Sequence, residues 1–512
     1  MIKISKKQFV ISGLLLSALS IGTFSCTKLE DTSIDKITDG SAIAPEQFLD
    51  AAYGRMYVHP TNDNSFALNE HPTDEVQGPT RGTDWDDNGQ WRQVHEQTWT
   101  PTHAFVVQAW DDYNKGHALA NEVLYNPKSS PAVIAQATFL RAYFMYHIMD
   151  LYGQVPFKDK ADVITVLSRA QAFDKIVADL ETSSKDLSDA GATPSQKMIA
   201  TKQAAQAMLA KLYLNKGVYT AAALSEKYTF AAADMDKVIA ACDAITASGK
   251  FALSAKYFDN FATNNDQVSK ELVFNFPFVA GVTPIPSNFG SNQRLVYPGT
   301  HYNQNPSGWN GFSTLSDFYN KFEKGDERLG GQIIDKKESG MTYGFLIGQQ
   351  FDKDGNALTT RQGTPLSFTL DCPLNGASEA QGVRIMKFQP DFANPFAGAN
   401  DFGFIRYADV LLMKAEALLR KGDAAGATAI VNQVRKARGL ADGVTVTEAT
   451  MLDERGKELY YEGWRRNDMI RFGKFNAPVI NRPTASPVTR QLYPIPQKEI
   501  EINPLLRQNA GY

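Results

Sequence analysis

The stretch from Phe404 to Phe472 constrains the fold more than any other part of the chain. Ala408, Leu411, Leu412, Ala415, Leu418 and Leu419 recur at three- and four-residue intervals, which lays one apolar stripe along a helix of period 3.6. Gly422 stops that helix. Asp423 caps the next, in which Ala427, Ile430, Val431, Val434 and Ala437 repeat the spacing until Gly439. The two form an antiparallel helical hairpin. Small Ala415 and Ala427, with Leu411, Leu418, Val431 and Val434 around them, fall where tetratricopeptide units place their packing residues, although the usual Trp and closing Pro are missing. Leu209, Ala210, Tyr213 and Gly217 echo the rhythm upstream. The predicted fold class is mainly α: a tetratricopeptide-like scaffold of helical hairpins, an α/α superhelix, with long irregular loops and a few short strands.

Apolar periodicity bounded by Gly or Pro predicts further helices at 46–58, 103–125, 131–152, 168–188, 196–216 and 230–247. From about Phe251 to Gly403 the texture changes to Gly, Pro, Asn and aromatic residues, with short runs such as ELVFNFPF and VRIMKF that suit small strands. Loops of this length are usually functional, so recognition is expected on them and not on the helices. A repeat scaffold can reach 512 residues as one compact unit. The expected organisation is a signal segment at 1–25, a tether at 26–45, an N-terminal helical region at 46–250 and a loop-rich middle followed by helical hairpins at 251–512.

Beyond the hairpin, Thr445 and Glu448 suit a capping box, and Arg455, Glu458, Glu462 and Arg466 fall on one stripe of the helix that follows. Carboxylates flanked by arginines are far more often ion ladders than catalytic groups. The alternative is a glycoside hydrolase using Glu458 and Glu462 as its carboxylate pair.

At the N-terminus, Lys3, Lys6 and Lys7 precede the uncharged stretch FVISGLLLSALSIGTF, too short to span a membrane, which reads as a secretion signal. Ser25 before Cys26 suits lipoprotein processing, with Thr23 where a Leu is common; ordinary cleavage leaving a free Cys26 thiol is the rival. A lipid on Cys26 would anchor an otherwise soluble body. The net charge of −4 offers no basic surface for nucleic acid. Cys242, on an apolar helical stretch, and Cys372, in an irregular segment, leave pairing open.

No zinc-protease, nucleophile-elbow, phosphate-loop or dinucleotide fingerprint occurs, so no catalytic residue, metal or cofactor is expected. Four of the six tryptophans, Trp85, Trp91, Trp99 and Trp110, lie within 26 residues. Trp99 and Trp110 read as core anchors. Trp85 and Trp91 stand among Asp84, Asp86, Asp87, Asn88 and Gly89, residues that favour a surface turn, where an apolar ring is conspicuous. Sugar rings present C–H faces that stack on indole and hydroxyls that bond to Asp, Asn and Arg, and this loop offers both. The same loop matches half of a calcium motif, Asp84-x-Asp86-x-Asn88-Gly89, but places His95 where the bidentate Glu belongs.

ERGKELYYEGWRRNDMIRFGKF resembles the C-terminal signature of the SusD/RagB family of outer-membrane nutrient-binding lipoproteins. APEQFLDAAYGRMY, FLRAYFMYHIMDLYGQVPF and YPIPQKEIEINPLLRQNAGY resemble further family blocks in the family's order. The resemblance implies a mostly helical, non-catalytic body anchored at the cell surface on the outer membrane. It would cap a TonB-dependent (SusC-like) transporter and hand it oligosaccharides, or oligopeptides in some members. It implies ligand contacts from Asp74, Arg81, Trp85 and Trp91 in the N-terminal third and from Tyr302 and Trp309 in the irregular middle. The Cys26 reading makes a direct prediction: Cys26→Ala leaves the body folded and moves it from the membrane fraction to the soluble fraction, and retention in the membrane contradicts a covalent anchor.

Overall fold

The computed structural model describes residues 43–82, 84–158, 163–191, 200–281, 293–395, 397–441 and 443–512. Cys26, the signal segment and the tether as far as residue 42 lie outside the described residues. The scaffold is a succession of helices, α1 (Pro45–Gly54), α2 (Asn64–Glu70), α3 (Gln90–His95), α4 (Ala104–Tyr125), α5 (Pro131–Tyr152), α6 (Arg169–Asp186), α7 (Lys202–Leu214), α8 (Ala232–Ala247), α9 (Tyr407–Arg420), α10 (Ala424–Ala437), α11 (Glu448–Leu459) and α12 (Arg465–Arg471). The helix α1 packs on α4, each helix from α4 to α9 packs on the next, and α11 closes against α9. This is the hairpin-on-hairpin stack that the periodicity predicts. Among the described residues no helix is long and apolar enough to cross a membrane.

The centre of the stack is α5. Ser130 accepts from the Val133 N–H, Pro131 occupies the first turn, and Gly153 ends the helix at φ 73°. Every residue from Phe139 to Tyr152 is buried, and the charged ones in that run are paired, Arg141 with Asp179 and Asp150 with Arg466. The hairpin α9–α10 turns at Gly422 (φ 89°), and Asp423 caps α10 by accepting from the Gly426 N–H.

Among the short strands that position the irregular middle are β1 (Val76–Gln77), β2 (Leu272–Phe276), β3 (Ser313–Thr314), β4 (Thr342–Leu346), β5 (Arg384–Met386) and β6 (Phe402–Arg406). The antiparallel pairs β1–β3, β2–β6 and β4–β5 each join segments far apart in sequence. The pair β2–β6 is wholly buried and lays Phe274 and Phe404 against Tyr143 of α5, which attaches the middle to the helical core.

The predicted stripe from Arg455 to Arg466 is not one helix. Tyr461 (φ 60°) and Gly463 (φ 84°) turn the chain between α11 and α12, so its charges find tertiary partners instead. Glu458 binds Arg406 (3.2 Å) and Arg438 (2.8 Å), Glu462 binds Arg406 (2.7 Å) and Lys387 (2.6 Å), Arg455 binds Asp409 and Asp468, and Arg466 binds Asp150. Burial pushes the Glu458 carboxyl up, but Arg438 and Arg406 outweigh it and hold it at about 2. The cap of α11 also falls two residues later than expected. Thr447 accepts from the Thr450 N–H, and Thr450 Oγ1 accepts in return from the Thr447 N–H at 2.8 Å, leaving Glu448 in the first turn facing the helix dipole. Cys242 and Cys372 are both buried and unpaired with each other.

Glu70, at the end of α2, and Glu75, just before β1, form a buried carboxyl pair. Glu70 accepts from the Gly463 N–H, and Glu75 from the Tyr461 N–H at 2.5 Å. Among the described residues nothing donates to Glu70 Oε2, and two buried carboxyls this close are accommodated when one proton is shared between them. Burial, and for Glu70 the neighbouring Glu75 charge, raise both groups, Glu75 to about 7. A carboxyl raised above its unfolded value stabilises the fold below that unfolded value and loses this contribution as pH rises through about 7, with a slope of at most about 1.4 kcal/mol per pH unit for one proton. The expected result is that Glu75→Gln, which keeps the acceptor for Tyr461 and can donate to an ionised Glu70, gains thermal stability relative to wild type between pH 5 and 8. A pH-independent difference in calorimetry contradicts the shared proton.

Candidate functional site

The loop that follows β1 folds back on itself at Arg81–Asp84, where each backbone N–H bonds the other's carbonyl at 3.0 and 3.1 Å. It then passes through left-handed backbone at Trp85 (φ 64°), Asp87 (39°), Asn88 (54°) and Gly89 (77°) before α3. Asp, Asn and Gly accept this conformation readily, whereas for Trp85 it stores about 1–3 kcal/mol. Two contacts hold it: the Trp85 Nε1–H donates to the Trp309 carbonyl at 2.8 Å, and the indole lies against Gly311, where a Cβ would stand 2.1 Å from its ring.

Around these rings opens a cleft of about 520 Å³. Trp85, Trp309 and Tyr302 supply half-buried rings, with 6.4 Å between the Trp85 and Trp309 centroids. Trp91 and Phe105 form the floor, and Asn62, Asp63, Asp84, Asp87 and Gln90 supply polar groups. Trp91 is only 4% exposed and packs against Phe105 (4.6 Å) and Phe312 (4.9 Å), while its Nε1–H donates to Asp87 at 2.8 Å. The Tyr302 hydroxyl donates to Asp84 Oδ2 at 2.9 Å. Burial first, then Asp84, raise its pKa to about 12, so it stays a neutral phenol. Arg361 lies 4.1 Å over the Tyr302 ring, donates to Asp84 at 2.7 Å and pairs with Glu379. Burial pushes the Glu379 carboxyl up, but the Arg361 backbone N–H and guanidinium and the His301 ring overcome it and hold it at about 2.

The cleft thus gathers Trp85, Trp91, Tyr302 and Trp309 and leaves out Asp74 and Arg81. Asp74 is bidentate to Arg465 (2.7 and 2.8 Å) and borders a separate pocket of about 320 Å³ near α11. Arg81 is buried behind the cleft wall, where it donates to the carbonyls of Gly311, Ser378 and Gln381 and to Ser313 Oγ. The half-motif for calcium is put to other uses, since Asp84 serves Tyr302 and Arg361, and Asp86 serves Arg92 at 3.0 Å. Trp99 and Trp110 are core residues, 1% and 2% exposed. Sequence reasoning missed Arg361, Glu379, Asn62 and Asp63. The turn-forming run from Thr61 to Asn64 was a usable signal for the last two, whereas nothing local marks Arg361, which meets Asp84 across 277 residues.

Fold and cleft together define a helical-repeat scaffold protein whose loops carry a concave aromatic site. The chain belongs to the SusD family, whose model matches residues 224–512. A second family model, described as starch-binding associating with outer membrane, matches residues 29–214. The chain is 25% identical to the starch-binding protein SusD of Bacteroides thetaiotaomicron, over 98% of each chain, and 22% identical to SusD-like protein P2 of Formosa agariphila, over 99% of this chain and 100% of that one. Among solved structures it resembles a laminarin binding SusD-like protein (TM-score 0.71, 21% identity, 91% of this chain and 99% of that one). It also resembles the surface glycan-binding protein A of Bacteroides thetaiotaomicron in complex with laminarihexaose (TM-score 0.65, 19% identity, 91% and 98%).

The close approach at Gly311 yields a test of the cleft geometry. Gly311→Ala is expected to displace the Trp85 indole, changing near-UV circular dichroism and tryptophan emission and costing about 1–3 kcal/mol of stability. An unchanged spectrum would mean that the ring does not rest there.

Proposed function

We propose that this protein is a lipoprotein on the outer face of the outer membrane, anchored through Cys26, that holds an oligosaccharide in the Trp85–Trp309 cleft and passes it to a TonB-dependent transporter without altering it. The observation that carries this reading is the meeting of Trp85 and Trp309, from loops 224 residues apart, beside hydrogen-bonding carboxylates and amides in one open cleft. Indole faces suit the C–H faces of pyranose rings. Asp63, Asp87, Asn62 and Gln90 suit their hydroxyls. Several relatives named for starch, laminarin or glycan binding support the same ligand class.

An open cleft suits a protein that must release its ligand intact to a partner. The hydrolase alternative loses its proposed pair, because Glu458 and Glu462 are buried in ion pairs away from the cleft lining. The carboxylates that do face the cleft, Asp63, Asp84 and Asp87, are the ones to examine for turnover, and an oligosaccharide incubated with pure protein is expected to be recovered unchanged.

Binding by calorimetry against a panel of oligosaccharides and oligopeptides tests the ligand. Trp309→Ala and Trp85→Ala are expected to weaken oligosaccharide affinity at least tenfold, about 1.4 kcal/mol. Trp91→Ala, which empties the floor, is expected to cost about 3–5 kcal/mol of stability. Wild-type affinity in both cleft variants, or binding of peptides alone, contradicts the proposal.

A further inference from the structure

We infer that the cleft selects neutral glycans and rejects those bearing carboxylates or sulfate esters; the inference rests on the oligosaccharide reading above and narrows it. Among the described residues, the charged ones that line the cleft are Asp63, Asp84 and Asp87, and no Lys, Arg or His lines it. The cations described nearby are already engaged. Arg361 lies between Asp84 and Glu379, and Arg92 is paired with Asp86. His103, whose Nε2 lies 3.1 Å from the Gln90 carbonyl, is driven toward its neutral form by burial. Arg81 and Arg384 lie behind the Gly311–Ser313 segment, with their donors on backbone carbonyls, Ser313 Oγ and the Asn310 amide.

A uronate or sulfated sugar entering this cleft would shed part of its hydration, meet like charges and find no unpaired guanidinium or ammonium among the described lining residues. A neutral sugar meets the opposite situation. Its hydroxyls donate to the Asp carboxylates, the charge-assisted kind of hydrogen bond, while its C–H faces stack on Trp85 and Trp309. The chemistry that favours one class therefore disfavours the other through the same side chains.

The test uses the full chain and matched pairs of probes: laminarihexaose and maltohexaose, and the same hexaoses oxidised at C6 to uronates. Binding of each is measured by calorimetry, with Trp309→Ala as the check that binding occurs in the cleft. The oxidised partner of whichever hexaose binds is expected to bind at least tenfold more weakly at about 0.01 M salt, where the screening length is about 30 Å. The gap is expected to shrink at about 1 M salt, where that length is about 3 Å. Steric exclusion would not respond to salt. The double variant Asp63→Asn/Asp87→Asn keeps acceptors at both positions, including the one for Trp91 Nε1–H, and is expected to narrow the neutral-to-anionic ratio at least threefold. Equal or tighter binding of an oxidised hexaose that is lost in Trp309→Ala overturns the inference while leaving oligosaccharide binding in place. A tenfold gap unmoved by both salt and the double variant also overturns it. If neither hexaose nor any neutral or anionic glycan of a wider array binds, the oligosaccharide reading fails and the inference falls with it.

Discussion

Arg406 is the side chain on which the helical scaffold and the loop-rich middle meet. It ends β6 and immediately precedes α9, and its fully buried guanidinium reaches Glu271 just before β2, Glu458 on α11 and Glu462 in the turn beyond. Arg438 at the end of α10 completes the circuit through Glu271 and Glu458. Such a network adds less net stability than an apolar core of the same volume, because desolvation offsets most of its Coulomb gain. Removing one member, by contrast, leaves an unpaired buried charge at a cost of about 3–5 kcal/mol. Arrangements of β2, β6, α10 and α11 that break the circuit are penalised by that amount, so the network holds these elements in one mutual register.

The cleft depends on a different device. Loops buried against a core must satisfy their carbonyls without a ladder of strands. Arg81 and Arg384, both buried, do this between them for Gly311, Ser378, Glu379, Gln381 and Gly382, and they share Ser313 Oγ. A guanidinium carries five donors in a fixed plane, so two of them can hold three irregular segments as firmly as a small sheet would. The middle region thereby gains a defined shape without the regularity that would flatten the cleft.

These two devices explain what could be read from sequence. The helices α4 to α10 were legible because their stability lies in apolar stripes, and period 3.6 is a local property. The break at Tyr461–Gly463 was not, because charge spacing continues across a turn unnoticed; Gly463 was the signal that outranked it. Trp85 stood out as a ring amid turn-forming residues, and Trp309 came from the family resemblance. Asp74 and Arg81 could not be told from ligand contacts, since a charged residue in a loop looks the same whether it faces solvent or a buried partner such as Arg465. Trp91 lay between these cases: it borders the cleft, but 4% exposure makes it floor.

The way the rings are fastened determines what they can offer. The Trp85 N–H is committed to the Trp309 carbonyl, so the polar edge of that indole is tied off. Trp91 is committed to Asp87 in the same manner, and the Tyr302 hydroxyl to Asp84. Arg361 covers one face of Tyr302. What remains toward the cleft is ring surface in fixed orientation, with hydrogen bonding delegated to separate carboxylates and amides. A surface divided in this way recognises a ligand that is itself divided, with apolar C–H faces and polar hydroxyls at the edges. It gains little from a ligand that presents only one of the two. The indole is held there from a backbone conformation, φ 64°, that a tryptophan does not otherwise favour, and the bond to the Trp309 carbonyl is one of the contacts that offset that cost.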